Sequence, residues 1–204
     1  MKKVLFSCLL AAVVLLGATS CDFFKHGMDF READDVAKIA AIIENNLNEG
    51  ELITSLVFHK TWDDSNFSFS KGIVKVYYVK AENPKEELMY NIDLEKNGWY
   101  DDEVSEKHKR TLYGNNRGYP IAKIADLGCD KIADFVNKAI EMMAAEDLKA
   151  YGIGLYTIYP HSDPAKITHT FAIEKIAGGG GNHTINYVEY DFEVKMGDGE
   201  VVSK

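Results

Sequence analysis

The chain has 204 residues and is acidic, since 32 aspartates and glutamates outweigh 23 lysines and arginines for a formal net charge of −9 at pH 7. An acidic surface repels phosphate backbones, so this balance argues against a nucleic acid partner. Of the three cysteines, Cys8 and Cys21 lie in the N-terminal segment and leave Cys129 alone in the remainder, which excludes a fold built on disulfides.

The N-terminal segment MKKVLFSCLLAAVVLLGATSC has the layout of a secretory signal. Lys2 and Lys3 precede an uncharged run at residues 4–16, and four small residues then lead to Cys21. The run is shorter than the roughly 20 apolar residues that span a bilayer, and its length suits the apolar core of a cleaved signal. We predict a signal peptide at residues 1–20, whose removal takes away two lysines and changes the net charge from −9 to −11.

The residues around the cleavage point resemble the lipobox of bacterial lipoproteins, in which the peptidase cuts just before a cysteine that then carries fatty acyl chains. Cys21 matches the acylated position, and Ser20 and Thr19 are small, while Ala18 stands where leucine is commoner. The resemblance implies palmitate-type acylation of Cys21, a membrane anchor and a place in the cell envelope facing the periplasm or the surface. It leaves the choice between inner and outer membrane open. Two or more acyl chains anchor a protein stably, and residues 21–32 would form the tether.

The mature chain begins with a helical pattern followed by three runs typical of strands. Val36, Ile39 and Ile43 recur at steps of three and four residues. Asp34 or Asp35 suits the N-terminal cap of such a helix, and Gly50 suits its C-terminal end. The strand-like runs are residues 52–61, 72–81 and 87–96. The third run alternates apolar and polar residues, which predicts a strand with one solvated face.

The same order of elements returns later in the chain. A second helical stripe runs from Ile132 to Met143 and is closed by Gly152, and strand-like runs follow at 153–159, 166–176 and 184–195. We therefore predict an internal duplication and an α+β fold of two tandem units. In each unit one helix packs on one face of a three-stranded antiparallel sheet. The predicted units are residues 33–98 and 129–204, separated by an inter-repeat segment at 99–128.

This order of elements, over residues 33–204, resembles the tandem repeats of PepSY-like and beta-lactamase-inhibitor-like proteins of the bacterial envelope. No short motif carries the resemblance. It implies protein binding and inhibition, often on concave sheet faces. We therefore expect a non-catalytic module that binds or inhibits a protein, peptide or glycan of the envelope, with its oligomeric state open.

The sequence carries no G-x-S-x-G, H-E-x-x-H, paired C-x-x-C or Walker motif, and we expect no cofactor and no metal. The glycine run at 178–181 leads into another strand, not a helix N-terminus, so we interpret it as a hairpin loop. The run Asp63-Asp64-Ser65-Asn66 lacks the EF-hand spacing for calcium and is typical of a solvated turn. Cys129 has no partner histidine, and we expect a small buried residue at the start of a helix.

The inter-repeat segment is the best candidate for a binding surface, because aromatic residues and arginine dominate interface hot spots. Its candidate residues are Trp99, Tyr100, Tyr113, Arg117 and Tyr119. An alternative is that Trp99 and Tyr100 finish a strand and pack locally.

Two other functions stay open. A helix on a curved sheet also resembles the cones of nuclear-transport-factor-2-like and cystatin-like proteins, whose cavity can host an enzyme. One of His59, His161 or His169 should then point into a deep pocket beside a carboxylate. The third possibility is a structural component of an envelope assembly, which would present a broad, flat apolar patch.

Overall fold

The computed structural model describes residues 28–47, 51–59, 67, 73–94, 98–99, 110–111, 121–160, 167–180, 184–197 and 199–204. Within these ranges the chain forms two α-helices, α1 (Ala33–Asn45) and α2 (Ile132–Ala145). Two short 3₁₀ segments, Ile124–Asp126 and Cys129–Lys131, precede α2. Val36, Ile39 and Ile43 are buried, so the apolar stripe predicted for the first helix is the face of α1 that packs inward.

The strands in the described part of the chain form one antiparallel sheet. They are β1 (Glu51–His59), β2 (Ile73–Lys80), β3 (Asn83–Asp93), β4 (Gly98–Trp99), β5 (Arg110–Thr111), β6 (Gly152–Pro160), β7 (Ile167–Gly180), β8 (Thr184–Lys195) and β9 (Glu200–Ser203). Their order across the sheet is β4-β3-β2-β1-β6-β7-β8-β9, and β5 also pairs with β3. Each strand-like run predicted from the sequence therefore overlaps a strand.

The predicted architecture of two tandem units, each a helix on its own three-stranded sheet, is wrong. β1 and β6 pair antiparallel, with Leu56 opposite Ile158 and Phe58 opposite Tyr156, so the strands of both halves belong to one sheet. One hydrophobic core contains residues of both halves and of both helices. A separate three-stranded sheet would leave the backbone groups at the edges of β1 and β6 unpaired. Residues 56–58 of β1 pair with residues 156–158 of β6, and Ile53 of β1 pairs with Ala122, so part of these edges is satisfied.

A ladder of aromatic rings crosses the junction between the two halves. Phe58 lies opposite Tyr156, which lies opposite Phe171 of β7, and the centroids of the successive rings are 6.0 and 5.0 Å apart. Phe171 in turn lies opposite Phe192 of β8, at 5.6 Å. The ring of Phe30 packs over the junction, with its centroid 5.3 Å from that of Phe58. Buried aromatic pairs at such distances contribute about 0.5–1.5 kcal/mol each beyond the burial of area, so the ladder favours a single sheet.

The core also includes part of the segment predicted as a tether. Met28 and Phe30 are buried, although both lie within residues 21–32. The Phe30 amide donates to the Phe67 carbonyl at 3.1 Å, and the Arg31 guanidinium lies 4.6 Å from the centre of the Phe67 ring. The folded part of the chain thus includes Met28, and the predicted tether before it lies outside the described residues.

The chain forms a hairpin at the glycine run, but the prediction that residues 178–181 are its loop is wrong, because Gly178, Gly179 and Gly180 belong to β7. β7 and β8 stay paired as far as Gly180 opposite Thr184, so most of the glycine run lies in β7. The pairing shifts register between Ile176 and Gly178, which is typical of a β-bulge. Gly178 has a φ of 142°, a conformation that side-chain-bearing residues rarely adopt, so glycine suits this position.

Candidate binding surface

His169 of β7 is the most buried histidine in the described part of the chain, and both of its ring nitrogens are engaged. Nε2 lies 2.9 Å from the Leu127 carbonyl oxygen, and Nδ1 lies 2.9 Å from the Tyr156 hydroxyl. Because the carbonyl can only accept, Nε2 carries the hydrogen and Nδ1 accepts from the hydroxyl. Burial is the main cause that lowers the pKa of His169 to about 4. The imidazole is therefore neutral and structural at neutral pH.

This geometry bears on the enzyme alternative. His169 is 0% exposed, and its partners are a carbonyl and a phenol, so the pocket and the carboxylate that the alternative requires are missing there. His59 lies on β1, half-buried, and its pKa is lowered by burial and by the nearby Lys75 ammonium. His161 lies outside the described residues. Among the described residues, neither His59 nor His169 has the surroundings of a general base.

The structure supports the prediction that Cys129 is a small buried residue. Cys129 is buried at the start of the 3₁₀ segment that precedes α2, as expected, and burial raises the pKa of its thiol to about 12. Such a thiol stays protonated and unreactive. In the described ranges no three histidine, cysteine or acidic side chains group in a way that would hold a metal ion.

The binding residues predicted in the inter-repeat segment remain predictions. Tyr100, Tyr113, Arg117 and Tyr119 lie outside the described residues. Trp99 is described in its backbone alone, which pairs with Ile92 of β3. Cys21 also lies outside the described ranges. The surface that the structure does define lies elsewhere, on β7 and β8.

The hairpin of β7 and β8 extends past the strands beside it. Pairing between β6 and β7 begins at Gly152 opposite Glu174, so residues 175–180 of β7 and 184–188 of β8 project beyond β6. We call this two-stranded projection the hairpin arm. It carries three exposed apolar side chains, Ile176 (41%), Tyr187 (44%) and Val188 (44%). Apolar residues concentrated on a projecting hairpin mark an interaction site more often than the same residues scattered singly.

A shallow pocket adjoins the arm on the sheet face opposite the aromatic ladder, here called the outer face. It encloses about 340 Å³. Thr157, Thr170 and Ala172 contribute to its lining, together with the 48% exposed Leu155. The base of the pocket is formed by small side chains, which leave space above the strands. Glu189 Oε1 lies over Gly154, only 3.2 Å from where a β-carbon on that glycine would sit.

The outer face beside the arm is acidic. Glu174 lies directly opposite Glu189 in the pairing of β7 and β8, and Asp191 follows on the same face. Like charges opposite one another in a sheet repel. The lysine at this end of the pocket, Lys204, forms an ion pair with Glu193. Glu189 and Asp191 are both exposed, and the charge of Asp191 also acts on the nearby Lys204 ammonium.

This surface was not predicted from the sequence. The alternation of apolar and polar residues along a strand predicts which face a residue takes, but it gives no information on how far a neighbouring strand reaches. One signal was present. The run predicted at 184–195 is clearly longer than the run at 153–159, and the observed strands have 12 and 9 residues. Antiparallel strands of unequal length leave an overhang, and apolar residues on it stay exposed.

No protein-family model, no curated protein and no solved structure matches the chain. The lipobox resemblance and the resemblance of the mature chain to envelope repeat proteins therefore remain predictions.

In the described ranges neither helix has the length and apolar character needed to cross a membrane.

Proposed function

We propose that this chain is a lipoprotein of the cell envelope, held at a membrane by acyl chains on Cys21, and that it acts as a non-catalytic module that binds or inhibits a protein or peptide. The observation that carries the binding role is the hairpin arm. It presents three exposed apolar side chains on two strands that stay paired as far as Gly180 opposite Thr184, with one shift of register. A rigid strand pair loses little conformational entropy on binding, which favours its use as a docking element.

The anchor is tested with a cysteine exchange. We expect Cys21→Ser to abolish labelling of the full-length protein by radioactive palmitate and to leave the signal peptide uncleaved, since the cut depends on the cysteine. Cys8→Ser is the matched control, because Cys8 lies in the predicted signal peptide and should be removed with it. Palmitate label retained by Cys21→Ser would contradict the anchor and leave the binding role untouched.

The binding role is tested by capture from envelope extract with the chain from Asp22 onward. We expect the wild-type chain to capture a protein that a variant with Ile176→Ser, Tyr187→Ser and Val188→Ser does not, because the variant loses the apolar contacts of the arm. Met142→Ser is the control, since Met142 is similarly exposed (36%) on α2. The captured protein is then purified and its dissociation constant measured with each variant.

A second bait separates the arm from the inter-repeat segment. It carries alanine at Trp99, Tyr100, Tyr113 and Tyr119. Loss of the partner with this bait alone would move the binding surface to the inter-repeat segment. Equal capture by every bait would overturn the arm as the binding site.

A further inference from the structure

We propose that the free edge of β8, from Thr184 to Tyr190, takes up an extended segment of the partner in which lysine or arginine alternates with apolar residues, adding it to the sheet as a further strand. This inference rests on the proposed binding function and names the chemistry of the partner.

The backbone of β8 offers the hydrogen bonds for such an addition. The Lys204 amide donates to the Asp191 carbonyl at 2.9 Å from the side of β8 that faces away from β7. Backbone groups alternate sides along a strand, so the N–H and C=O groups of Glu189 and Tyr187 point toward that same edge. β9 pairs only with Phe192 to Lys195, and in the described part of the chain no strand lies beside Tyr187 or Glu189 on this edge.

The side chains along this edge select the charge of the incoming strand. Glu189 and Asp191 project from the outer face, and Glu174 lies directly opposite Glu189. A strand added at the edge would place its own side chains about 5 Å from Glu189. Lysine or arginine at that position would lie beside the exposed carboxylate of Glu189.

Apolar residues of the same strand match the rest of the edge. Tyr187 lies on the outer face with its ring 5.4 Å from that of Tyr151, and Val188 is exposed on the opposite face. An extended segment presents alternate side chains to the two faces, so it can contact both. Main-chain bonds would supply affinity and the side chains selectivity, as in other cases of strand addition.

Charge disfavours a second copy of this chain as the occupant. Two copies would bring together two chains that each carry a net charge of −11 once residues 1–20 are removed, and both would present Glu189 and Asp191. The nearby lysine of the arm, Lys175, lies opposite Val188 and so on the other face from these carboxylates. A cationic segment meets no such repulsion.

The probe is a blocked synthetic peptide that alternates lysine and valine and is about as long as the exposed edge. It is titrated into isotope-labelled protein, from Asp22 onward, while the backbone amide signals are followed by nuclear magnetic resonance. We expect saturable shifts confined to the amides of the arm and of residues 184–191, and affinity that falls as salt is raised. A peptide that alternates glutamate and valine should not bind, and neither should the lysine–valine peptide with every backbone nitrogen methylated, which has no N–H to donate to β8.

Two substitutions at Glu189 distinguish the contribution of its charge from that of its backbone N–H. Glu189→Gln removes the charge alone and should weaken binding up to about fivefold. Glu189→Pro also removes the N–H that points to the free edge, which costs no bond to β7, and it should abolish the shifts. Glu141→Gln, an exposed acid on α2, should bind like the wild type.

Three results would overturn the inference. They are equal binding of the glutamate–valine peptide, unchanged binding by Glu189→Pro, or dimerisation of the protein alone through the same amides. Capture of a partner through the arm, with no binding of the lysine–valine peptide, would reject the strand chemistry and leave the proposed function standing. Failure of both experiments would reject both.

Discussion

Lowering the pH from about 6.5 to about 4 is expected to remove about 3 kcal/mol from the free energy of unfolding through His169 alone. In the folded chain its pKa is lowered to about 4, mainly by burial, whereas an unfolded chain has the ordinary value of 6.5. Between these values the unfolded state binds the proton and the folded state does not, so stability falls as pH falls. Above 6.5 this contribution is constant, and below 4 it falls no further.

The measurement is urea unfolding at a series of pH values, with His169→Gln beside the wild type. The glutamine amide has an NH2 group that can donate to the Leu127 carbonyl and an oxygen that can accept from the Tyr156 hydroxyl, and it does not titrate. Carboxylates titrate in the same range, so the quantity that matters is the difference between the two chains. We expect the variant to lose less stability than the wild type between pH 6.5 and 4. Parallel curves for the two chains would contradict the role assigned to His169.

His59 supplies a second control. Its pKa is also lowered, first by burial and then by Lys75, so it acts in the same direction as His169. His59 is half-buried and His169 is fully buried. We therefore expect His59→Gln to change the pH dependence of stability less than His169→Gln does.

Local patterns in the sequence predicted the elements and the side-chain faces of this fold. The three-and-four spacing of Val36, Ile39 and Ile43 gave the buried face of α1. The alternation that places Phe171 inward also places His169 inward, two residues earlier. Both patterns arise from the geometry of one helix or one strand, so they need no knowledge of the rest of the chain.

Those local patterns could not predict which distant segments come into contact. Alternation puts Phe58 and Tyr156 on the inner faces of their strands, but any inward aromatic would satisfy it equally, and nothing local says that β1 and β6 pair. The Leu127 carbonyl that bonds to His169 comes from a segment with no periodic pattern. The same limit applies to the binding surface, because exposure of Tyr187 and Val188 depends on where β6 ends.

Replacing either Phe58 or Phe171 by alanine is expected to lower the free energy of unfolding by about 3–5 kcal/mol, the usual loss for a buried phenylalanine. The two residues lie in different halves of the chain, on either side of Tyr156, and each is at most 3% exposed. Since one sheet and one core include both, we expect each variant to unfold in a single transition that is shifted as a whole. Val202→Ala, at a 41% exposed position on β9, should change stability by at most about 0.5 kcal/mol.

Two probes of urea unfolding make this test decisive about the architecture. Both tryptophans, Trp62 and Trp99, precede α2, so their fluorescence reports on the first half of the chain. Far-ultraviolet circular dichroism reports on both halves. In a chain folded around one sheet, Phe171→Ala must shift the fluorescence transition although the substitution lies in the second half. If fluorescence responded to Phe58→Ala and ignored Phe171→Ala, the halves would unfold independently. The aromatic ladder would then contribute little to joining them, because a ladder that couples β1 to β6 transmits the loss of any one ring to both halves.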